Sequence, residues 1–538
     1  MKSTMQEAPL LIRDLVVRGE QVYGSKLVYT VTSAGVTSRT FAETTRAARQ
    51  LANALVALGV GEDTRVGTFL WNDQTHLEAY LAVPTMGAIL HTLNIRLSPE
   101  QLAFVINDAH DEVIIVDASL VGLLARVRDQ IPSVRHIIVK GDDTDGLLGD
   151  ALSYDALLDG ASDVYEWPDL DERQAAILCY TSGTTGHPKG VLYSHRSTWL
   201  HSMVATTTNS VGLCEADRAL LVVPMFHVNA WGVAYASFFA GTELIMPSML
   251  LKGDYLLQMI EGLRPTIALG VPTLWNDLLR AAEEKGNADF SSLRTILAGG
   301  SAVPRVMIEA FKERHGVDIM QGWGMTETSP LAAVSIPPVS ADPATHTDYR
   351  VKAGRLSAGV EARIVGPDGG VLARDGVAVG EIELRGPWIT ASYYGFDAPE
   401  QFHDGWLRTG DVGTIDELGF LEISDRIKDV IKSGGEWISS VELENQIMAH
   451  PDVFEAAVVG VPDDRWGERP LACVVLREGA EVSPEALRSF LATSFPKWWL
   501  PERWTFVTAV PKTSVGEFDK KVLRALYGSG DLTVETLA

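Results

Sequence analysis

The spacing of apolar residues predicts a helix near the start of the chain, with an extended segment before it. Gly59 follows the last apolar position and is expected to end this helix. The apolar residues that fall at helical spacing are Phe41, Ala48, Leu51, Ala52, Leu55 and Leu58.

Short apolar runs then alternate with helical segments as far as about residue 330. Strands that alternate with helices build layered parallel sheets, so the pattern predicts an α/β fold with a large N-terminal domain of such sheets. A helix is expected over 120–128 and a core helix over 228–240. Strands are expected over 65–71, 112–116, 136–139, 175–179, 222–227, 266–271 and 295–297.

The pattern changes after about residue 350. Short alternating strands over 360–365, 380–384 and 421–423 are separated by Gly, Asp and Pro turns, which predicts a small β subdomain over about 350–424. The N-terminal domain would then comprise residues 1–424. A smaller α+β C-terminal domain is expected over 425–538, with a helix from Ser440, a strand over 456–461 and a helix after Asp519.

Composition narrows the functional classes. A chain of 538 residues is too long for a single core, and a net charge of −25 makes nucleic acid an unlikely partner. Cys179, Cys214 and Cys473 lack metal-ligand spacing, which favours a reducing, cytoplasmic setting. Neither a signal-peptide core nor an apolar run of membrane-spanning length is apparent.

The most informative stretch runs from Tyr180 to Gly190, directly after a predicted buried strand. It holds three glycines, four Ser/Thr hydroxyls and one lysine within eleven residues. Glycines let backbone N–H groups approach an anion, and hydroxyls and an ammonium group add donors, so the loop suits a polyphosphate. It lacks the Walker A order, and the alternative is a surface loop without a ligand. The candidate phosphate-binding residues are Thr181, Ser182, Gly183, Thr184, Thr185 and Lys189.

This loop resembles that of the adenylate-forming superfamily, which includes acyl-CoA synthetases, non-ribosomal peptide adenylation domains and beetle luciferases. The resemblance covers nearly the whole chain and is greatest to bacterial medium- and long-chain fatty acyl-CoA synthetases. It implies a small, mobile C-terminal domain, and it implies that ATP, the AMP moiety of an acyl-adenylate, CoA and Mg²⁺ are ligands. Related long-chain enzymes form dimers, so a homodimer is also expected.

The resemblance assigns a nucleotide site to loops at one rim of the sheet. Glu327 would bind Mg²⁺, since a carboxylate beside phosphates requires a cation, although it could instead be a helix N-cap acid. Asp411 and Arg426 would contact the ribose, although isolated residues of these types are usually turn charges. The residues expected around adenine and phosphate are Gly300, Ser301, Ala302, Gly322, Trp323, Gly324, Met325 and Thr326.

A hydrophobic acyl slot is expected beside the nucleotide. His227 lies at the predicted end of strand 222–227 and is a catalytic candidate, although a lone histidine there is usually a satisfied polar group. Trp231 resembles the gate residue of the long-chain enzymes. The remaining residues expected to line the slot are Gly232, Val233, Gly270, Thr273 and Leu274.

Residues of the C-terminal domain resemble the family's hinge and CoA site. Asp425 is the hinge candidate, about which the domain would turn between two half-reactions. In the second arrangement a glycine-rich turn would face the active site, with Lys432 and Gly435 as catalytic candidates. Gly434, Gly435, Trp437 and Arg465 are the CoA candidates, with Lys497 as a further partner for its phosphates.

Glu517 departs from the family pattern, which has lysine at this position. In the family, that lysine offsets repulsion between the substrate carboxylate and the α-phosphate during adenylation. A carboxylate reverses the sign, so the chain is expected to convert a supplied acyl-adenylate and CoA into acyl-CoA and AMP. A separate adenylating enzyme would then supply the adenylate of a bulky hydrophobic acid.

Other interpretations remain open at this point. Lys512, Lys520 or Lys521 could replace the missing lysine, which would make the chain a complete ATP-dependent fatty acid–CoA ligase. The chain could also be an amide-forming ligase, or a protein that binds acyl-adenylates without catalysis.

Overall fold

The computed structural model describes residues 1–142, 146–181, 187–434, 436–513 and 516–537. Within these ranges the helices are α1 (Ile12–Tyr23), α2 (Phe41–Ala57), α3 (Gln74–Thr85), α4 (Pro99–Ala109), α5 (Val121–Ala125), α6 (Tyr154–Asp159), α7 (His195–Ala205), α8 (Val233–Ala240), α9 (Gly253–Leu263), α10 (Pro272–Lys285), α11 (Arg305–His315), α12 (His346–Arg350), α13 (Ser440–Met448), α14 (Pro484–Leu491) and α15 (Lys520–Ser529).

The strands of the N-terminal part fall into an early and a late group. The early strands are β1 (Leu27–Thr32), β2 (Gly35–Thr40), β3 (Arg65–Phe69), β4 (Ile89–Thr92), β5 (Val113–Asp117), β6 (His136–Lys140), β7 (Leu152–Ser153), β8 (Ala175–Tyr180) and β9 (Gly190–Ser194). The late strands are β10 (Arg218–Leu221), β11 (Glu243–Met246), β12 (Ile267–Gly270), β13 (Thr295–Ala298), β14 (Asp318–Gly324), β15 (Leu331–Val334), β16 (Gly354–Leu356), β17 (Glu361–Val365), β18 (Gly380–Arg385), β19 (Phe402–His403), β20 (Trp406–Ile415) and β21 (Phe420–Arg426).

A third group of strands belongs to the C-terminal part. These are β22 (Ile431–Ser433), β23 (Glu436–Ile438), β24 (Val453–Asp463), β25 (Gly467–Leu476), β26 (Arg503–Phe506) and β27 (Glu535–Thr536). They form their own six-stranded sheet, with β24 paired to β25 and β26 parallel to β25. Trp504, Leu443 and Leu491 are fully buried in a core of this part. The mixed α/β architecture, with a large N-terminal and a small C-terminal domain, is therefore confirmed.

The N-terminal part contains two largely parallel sheets, as the alternating pattern predicted. The seven-stranded sheet has the order β7-β6-β5-β3-β4-β8-β9, and its pairs are parallel except β8–β9. In the fourteen-stranded sheet, strands β14-β13-β12-β10-β11-β1 are parallel neighbours. The two parallel arrays bring the carboxyl ends of many strands into loops, where α/β sheets bind ligands.

Helices fill the space between the two sheets. All residues of α3 after Gln74 are buried, including His76 and Glu78, which form hydrogen bonds with Thr68 and Tyr154. The shared core includes Val66, Leu90 and Ile115 of one sheet, Ala219, Leu244 and Leu269 of the other, and Leu51, Leu81 and Phe238 of the helices. Within the described ranges, the structure contains no helix with the length and apolarity needed to cross a membrane.

The predicted β subdomain is a continuation of the large sheet. Antiparallel pairing runs from β14 through β15, β16, β21, β20 and β18 to β17. The proposed domain boundary at 424/425 falls inside β21, and the next strand, β22, belongs to the six-stranded sheet. This boundary remains a prediction.

Three local predictions were wrong. The core helix expected over 228–240 begins only at Val233, because the segment before it has a left-handed backbone. The start of the chain is not extended, because Ile12, Leu15, Val16 and Gly19 form the buried face of α1. The strand expected over 222–227 ends earlier, at Leu221, so His227 lies beyond the strand in an irregular segment. Valines favour strands, but Pro224 removes a backbone donor from this run.

Candidate adenylate site

The neck of the phosphate loop is held by two reciprocal hydrogen bonds. The Thr181 N–H donates to the Lys189 carbonyl oxygen at 3.0 Å, and the Lys189 N–H donates to Thr181 Oγ1 at 3.0 Å. Thr181 directly follows β8 and Lys189 directly precedes β9, so the two bonds join the ends of neighbouring strands. Ser182, Gly183, Thr184 and Thr185 lie outside the described residues.

One tyrosine connects Lys189 with the metal candidate Glu327. The Lys189 ammonium lies 4.7 Å from the Tyr393 ring centroid and 5.2 Å from that of Phe396. The Tyr393 hydroxyl donates a hydrogen bond to Glu327 Oε1 at 2.6 Å. A cation–π contact and a charge-assisted hydrogen bond therefore position two predicted site residues. Sequence reasoning missed Tyr393 and Phe396, although the aromatic run from Tyr393 to Phe396 was a visible signal.

Glu327 is buried in a short 3₁₀ turn, Thr326–Thr328. Burial raises its pKa, while the Tyr393 hydrogen bond and Lys189 act in the opposite direction. Among the described residues, no cluster of three or more His, Cys, Asp or Glu side chains could hold a metal ion. A single carboxylate fits Mg²⁺, which usually takes one or two protein carboxylates and completes its shell with phosphate and water.

The ribose candidates lie opposite each other on neighbouring strands. Asp411 of β20 pairs with Arg426 of β21, and their side chains approach to 3.5 Å between Oδ1 and Nε. Trp323 Nε1 donates to the other carboxylate oxygen of Asp411 at 2.9 Å. Burial raises the pKa of Asp411, and Arg426 opposes that rise. Trp323 therefore lies beside Asp411 and Arg426, although it is 88 residues away from Asp411 in the sequence.

The turns expected around adenine occupy tight backbone positions. A Cβ on Gly324 would lie 1.8 Å from the Pro330 carbonyl oxygen, so only glycine fits there. Met325 N–H donates to that same oxygen at 3.2 Å, and Tyr193 donates to the Thr326 carbonyl oxygen at 2.6 Å. Gly322 and Trp323 belong to β14, and Gly300, with φ of 88°, follows β13 with Ser301 and Ala302 after it.

Glu517 joins the ribose candidates from the C-terminal part of the chain. Its Oε2 lies 3.7 Å from Arg426 Nη1, and 20% of its side chain is exposed. Arg426 therefore lies between two carboxylates, and the attraction of Glu517 is the largest cause of its raised pKa. Burial raises the pKa of Glu517, and Arg426 opposes that rise.

A hydrogen-bonded turn presents Glu517 to the N-terminal part. Thr513 N–H donates to the Glu517 carbonyl oxygen at 2.7 Å, and Glu517 N–H donates to Thr513 Oγ1 at 3.2 Å. A Cβ on Gly516 would lie 3.6 Å from Thr273 Oγ1, so the turn contacts the start of α10. We refer to the segment that contains Thr513, Gly516 and Glu517 as the 517 turn, of which these three residues are described.

Two nearby lysines are engaged with other carboxylates. Lys512 Nζ lies 2.7 Å from Glu455 Oε1. Lys520 Nζ lies 2.8 Å from Glu444 Oε1 and 2.6 Å from Ser440 Oγ. Lys520 and Lys521 both line a cavity of about 200 Å³ that Glu517 also lines, and among the described residues Lys521 forms no ion pair.

The gate candidate lies in a left-handed turn. Val228, Asn229, Ala230 and Trp231 have φ of 43°, 53°, 47° and 56°, which costs roughly 1–2 kcal/mol for each non-glycine residue. The indole of Trp231 packs on Gly299, where a Cβ would lie 3.2 Å from its Cη2. Such concentrated backbone strain is typical of functional segments.

His227 precedes this turn, and burial lowers its pKa to about 4. It is therefore neutral at pH 7 and available as a hydrogen-bonding group. Gly232 has φ of 73°, and a Cβ there would lie 2.7 Å from His201 Nδ1, a residue that sequence reasoning missed.

The remaining acyl-slot candidates are dispersed over two cores. Val233 opens α8 in the core between the sheets, and Leu274 packs against a second core around α10. Gly270 ends β12, and a Cβ there would lie 2.8 Å from Trp275 Cζ2.

Asp425 connects the last strand of the large sheet with α13. Its carboxylate accepts hydrogen bonds from the backbone N–H groups of Arg426 at 2.8 Å and Ser440 at 2.7 Å, and from Ser440 Oγ at 2.5 Å. The residue is 2% exposed. This position between the two parts of the chain suits the hinge prediction.

The CoA candidates lie on a separate surface. Lys432 pairs with Trp437 in an exposed hairpin, and Gly434 N–H donates to the Trp466 carbonyl oxygen at 2.8 Å. Arg465 lies 4.7 Å from the Trp466 ring centroid. Among the described residues, no hydrogen bond or ion pair joins this hairpin to Asp411, Arg426 or Glu517 in the present arrangement. Gly435 lies outside the described residues, and Lys497 is exposed on the same part of the chain.

Comparison with known proteins places this arrangement in a family. The family model described as AMP-binding enzyme matches residues 20–394, and the model described as AMP-binding enzyme C-terminal domain matches residues 442–517. The chain therefore belongs to the AMP-binding enzyme family, the adenylate-forming superfamily to which the phosphate loop pointed.

Relatives that are 39–42% identical to the chain over nearly its whole length are acid–CoA ligases. The chain is 42% identical to the 3-methylmercaptopropionyl-CoA ligase of Ruegeria lacuscaerulensis, over 97% of this chain and 98% of that protein. It is also 42% identical to the long-chain-fatty-acid–CoA ligase of Thermus thermophilus, over 98% of this chain and 97% of that protein. The crystal structure of the anthranilate CoA ligase AuaEII in complex with anthranoyl-AMP superposes with a TM-score of 0.89 at 26% identity, covering 99% and 100% of the two chains.

Proposed function

We propose that the chain catalyses the second half of the acyl-CoA ligase reaction and performs the first half poorly or not at all. The CoA sulfur attacks the carbonyl carbon of an acyl-adenylate, forming a C–S bond. The bond from that carbon to the phosphate oxygen breaks, AMP leaves and the thiol proton is released. Acyl-CoA and AMP are the products.

The carboxylate of Glu517 beside Arg426 carries this proposal. Adenylation joins two anions, and the family resemblance places a lysine where this chain has Glu517. A lost cation contact at about 4 Å forfeits roughly 4 kcal/mol at an effective dielectric of about 20. Half of that loss slows adenylation by about 30-fold, and repulsion from the carboxylate adds to it.

The engagement of neighbouring lysines supports the same reading. Lys512 and Lys520 each lie within 3 Å of a carboxylate, at 2.7 Å and 2.8 Å. Moving either one to the substrate would leave Glu455 or the buried Glu444 without its counter-charge, which is costly in a protein interior. Neither lysine is therefore expected to substitute for the family's lysine.

Thioester formation does not require a cation at position 517. The proposed reaction starts from an activated mixed anhydride with AMP as leaving group. Rotation about Asp425 would withdraw the 517 turn and bring the hairpin with Lys432, Gly434 and Gly435 to the adenylate. Asp411 and Arg426 would hold the ribose, and Lys189 the phosphate. Mg²⁺, if nucleoside triphosphate is bound, would be held through Glu327 and would neutralise phosphate charge.

The test compares the two half-reactions in the purified protein. Given decanoyl-AMP and CoA, the protein should release AMP and decanoyl-CoA. Given decanoate, ATP, Mg²⁺ and CoA, it should form at least 30-fold less product per unit time. Equal rates from the two starting points would overturn the proposal.

A complete ATP-dependent medium- or long-chain acid–CoA ligase is the second candidate. Whole-length similarity to acid–CoA ligases favours it. Lys521 is the residue that could restore adenylation, because it lines the cavity beside Glu517 and, unlike Lys520, is not paired with a carboxylate among the described residues. In that case wild type would adenylate decanoate and Lys521→Ala would not. An amide-forming ligase or a non-catalytic acyl-adenylate-binding protein would fail to produce the CoA thioester.

We further propose a bulky hydrophobic acid as the acyl group and a separate enzyme as the source of its adenylate. One candidate is the diterpenoid acid of platensimycin and platencin biosynthesis. Screening synthetic acyl-adenylates with CoA would identify the acid. A homodimer remains a proposal that sedimentation would test.

A further inference from the structure

A second cavity of about 260 Å³ lies between the N-terminal part and the C-terminal part. One wall comes from α10 and α11 and includes Leu279, Met307 and Ala310. The opposite wall includes Met448 at the end of α13 and Phe454 of β24, with Phe518 just beyond the 517 turn. The cavity therefore exists only while the two parts hold their present arrangement.

This cavity is distinct from the candidate adenylate site. Trp323, Asp411 and Arg426, which converge there, do not line it. Thr273 of the expected acyl slot and Ser301 and Ala302 of the expected nucleotide site do line it, so the two sites adjoin each other. The cavity was not anticipated from sequence, because its walls come from segments more than 100 residues apart.

The charges around the cavity leave one arginine without an acidic partner. Both lining carboxylates are engaged, Glu283 with Arg314 and Glu455 with Lys512. Arg280, also in the lining, pairs with Asp277 at 2.7 Å. Arg477 lines the same cavity, and among the described residues its side chain has no ion pair.

We propose that this interdomain cavity binds an amphipathic monocarboxylate, a free acid with a medium-length hydrocarbon body. The apolar walls would take the hydrocarbon, and the Arg477 guanidinium would take the carboxylate as a charge-assisted, two-pronged partner. The volume is sufficient for a single medium-length hydrocarbon chain.

Occupancy would inhibit thioester formation. Since a ligand stabilises the arrangement it binds, an acid at 100 times its Kd would favour the arrangement with the 517 turn inward by about 100-fold. This consequence rests on the proposed function, because it requires the C-terminal part to rotate before CoA attacks. A free acid that the chain does not activate would then signal that adenylate supply has failed.

The experiment measures decanoate binding by calorimetry in the full chain, without nucleotide. Decanoate should bind wild type, and Arg477→Glu should weaken binding at least tenfold by reversing the charge. Ala310→Trp should do the same by filling the cavity. Arg126→Glu, an exposed charge reversal remote from the cavity, should change nothing. Decanol should bind at least tenfold more weakly than decanoate.

Steady-state kinetics with decanoyl-AMP and CoA complete the test. Decanoate should lower kcat without raising KM for decanoyl-AMP, and Arg477→Glu should relieve this inhibition. Unchanged calorimetric binding in both cavity variants, or inhibition purely competitive with decanoyl-AMP, would overturn the inference. If instead wild type adenylates decanoate rapidly, while the Arg477 and Ala310 variants still bind decanoate more weakly in calorimetry, the proposed function fails and the cavity site stands.

Discussion

At the residue scale, Tyr393 shows how one side chain positions two charges of opposite sign. Its ring lies 4.7 Å from the Lys189 ammonium, and its hydroxyl bonds Glu327 at 2.6 Å. The sequence made Lys189 and Glu327 visible, because glycines and hydroxyls surround them. It could not reveal that Tyr393 positions these two charges, since that role depends on contacts with residues 66 and 204 positions away.

Replacing Tyr393 with leucine should weaken AMP binding by about fivefold, which corresponds to about 1 kcal/mol for a cation–π contact. Tyr393→Phe keeps the ring and should weaken binding by less than twofold. Calorimetric titration with AMP measures both, and Phe396→Leu serves as a control for the more distant ring. If the leucine variant binds AMP as tightly as wild type does, the Tyr393 ring does not position Lys189.

At the element scale, the prediction of local elements succeeded where periodicity is strong. The helix from Phe41, the strand leading to the phosphate loop and the helix from Ser440 all occur. The joining of the β subdomain to the large sheet was not predictable, because Gly354 of β16 pairs with Leu421 of β21 across a long sequence separation. The link between β21 and α13 through Asp425 is likewise a nonlocal feature.

Asp425→Ala should therefore detach α13 from β21. Three hydrogen bonds to a buried carboxylate are lost, so unfolding of the C-terminal part should become easier by about 2–3 kcal/mol. Ser440→Ala removes one of those bonds together with the hydrogen bond from Lys520 to Ser440 Oγ, and should cost about 1–2 kcal/mol. Hydrogen exchange of the α13 amides, measured at increasing urea concentrations, gives the difference in unfolding free energy between the variants and wild type. Equal stability of wild type and Asp425→Ala would contradict the bridging role of Asp425.

At the scale of the whole molecule, His201 joins three regions. It lies on α7, touches the left-handed turn at Gly232, and accepts a hydrogen bond from the Leu331 N–H at 3.3 Å. Its side chain is fully enclosed, and burial lowers its pKa from 6.5 to about 4. Because the unfolded chain takes up a proton at higher pH than the folded protein, this histidine destabilises the fold as pH falls below about 6.5.

The variant His201→Gln should separate the pH dependence of stability that comes from His201 from the pH dependence that comes from all other titrating groups. Glutamine does not titrate, so the stability of wild type relative to the variant should fall by about 1.6 kcal/mol between pH 6.5 and pH 5. Urea unfolding of both proteins at the two pH values gives the difference. A stability difference that does not change with pH would mean that His201 titrates alike in the folded and unfolded chains.

The most direct measurement of the central claim is ATP–pyrophosphate exchange with decanoate in wild type, Glu517→Lys and Glu517→Gln. Wild type should exchange weakly, and lysine should raise the rate at least 30-fold, because it restores the cation that adenylation requires. Glutamine removes the negative charge without supplying a cation and should give a smaller gain. Brisk exchange in wild type, or no gain with lysine, would contradict the account.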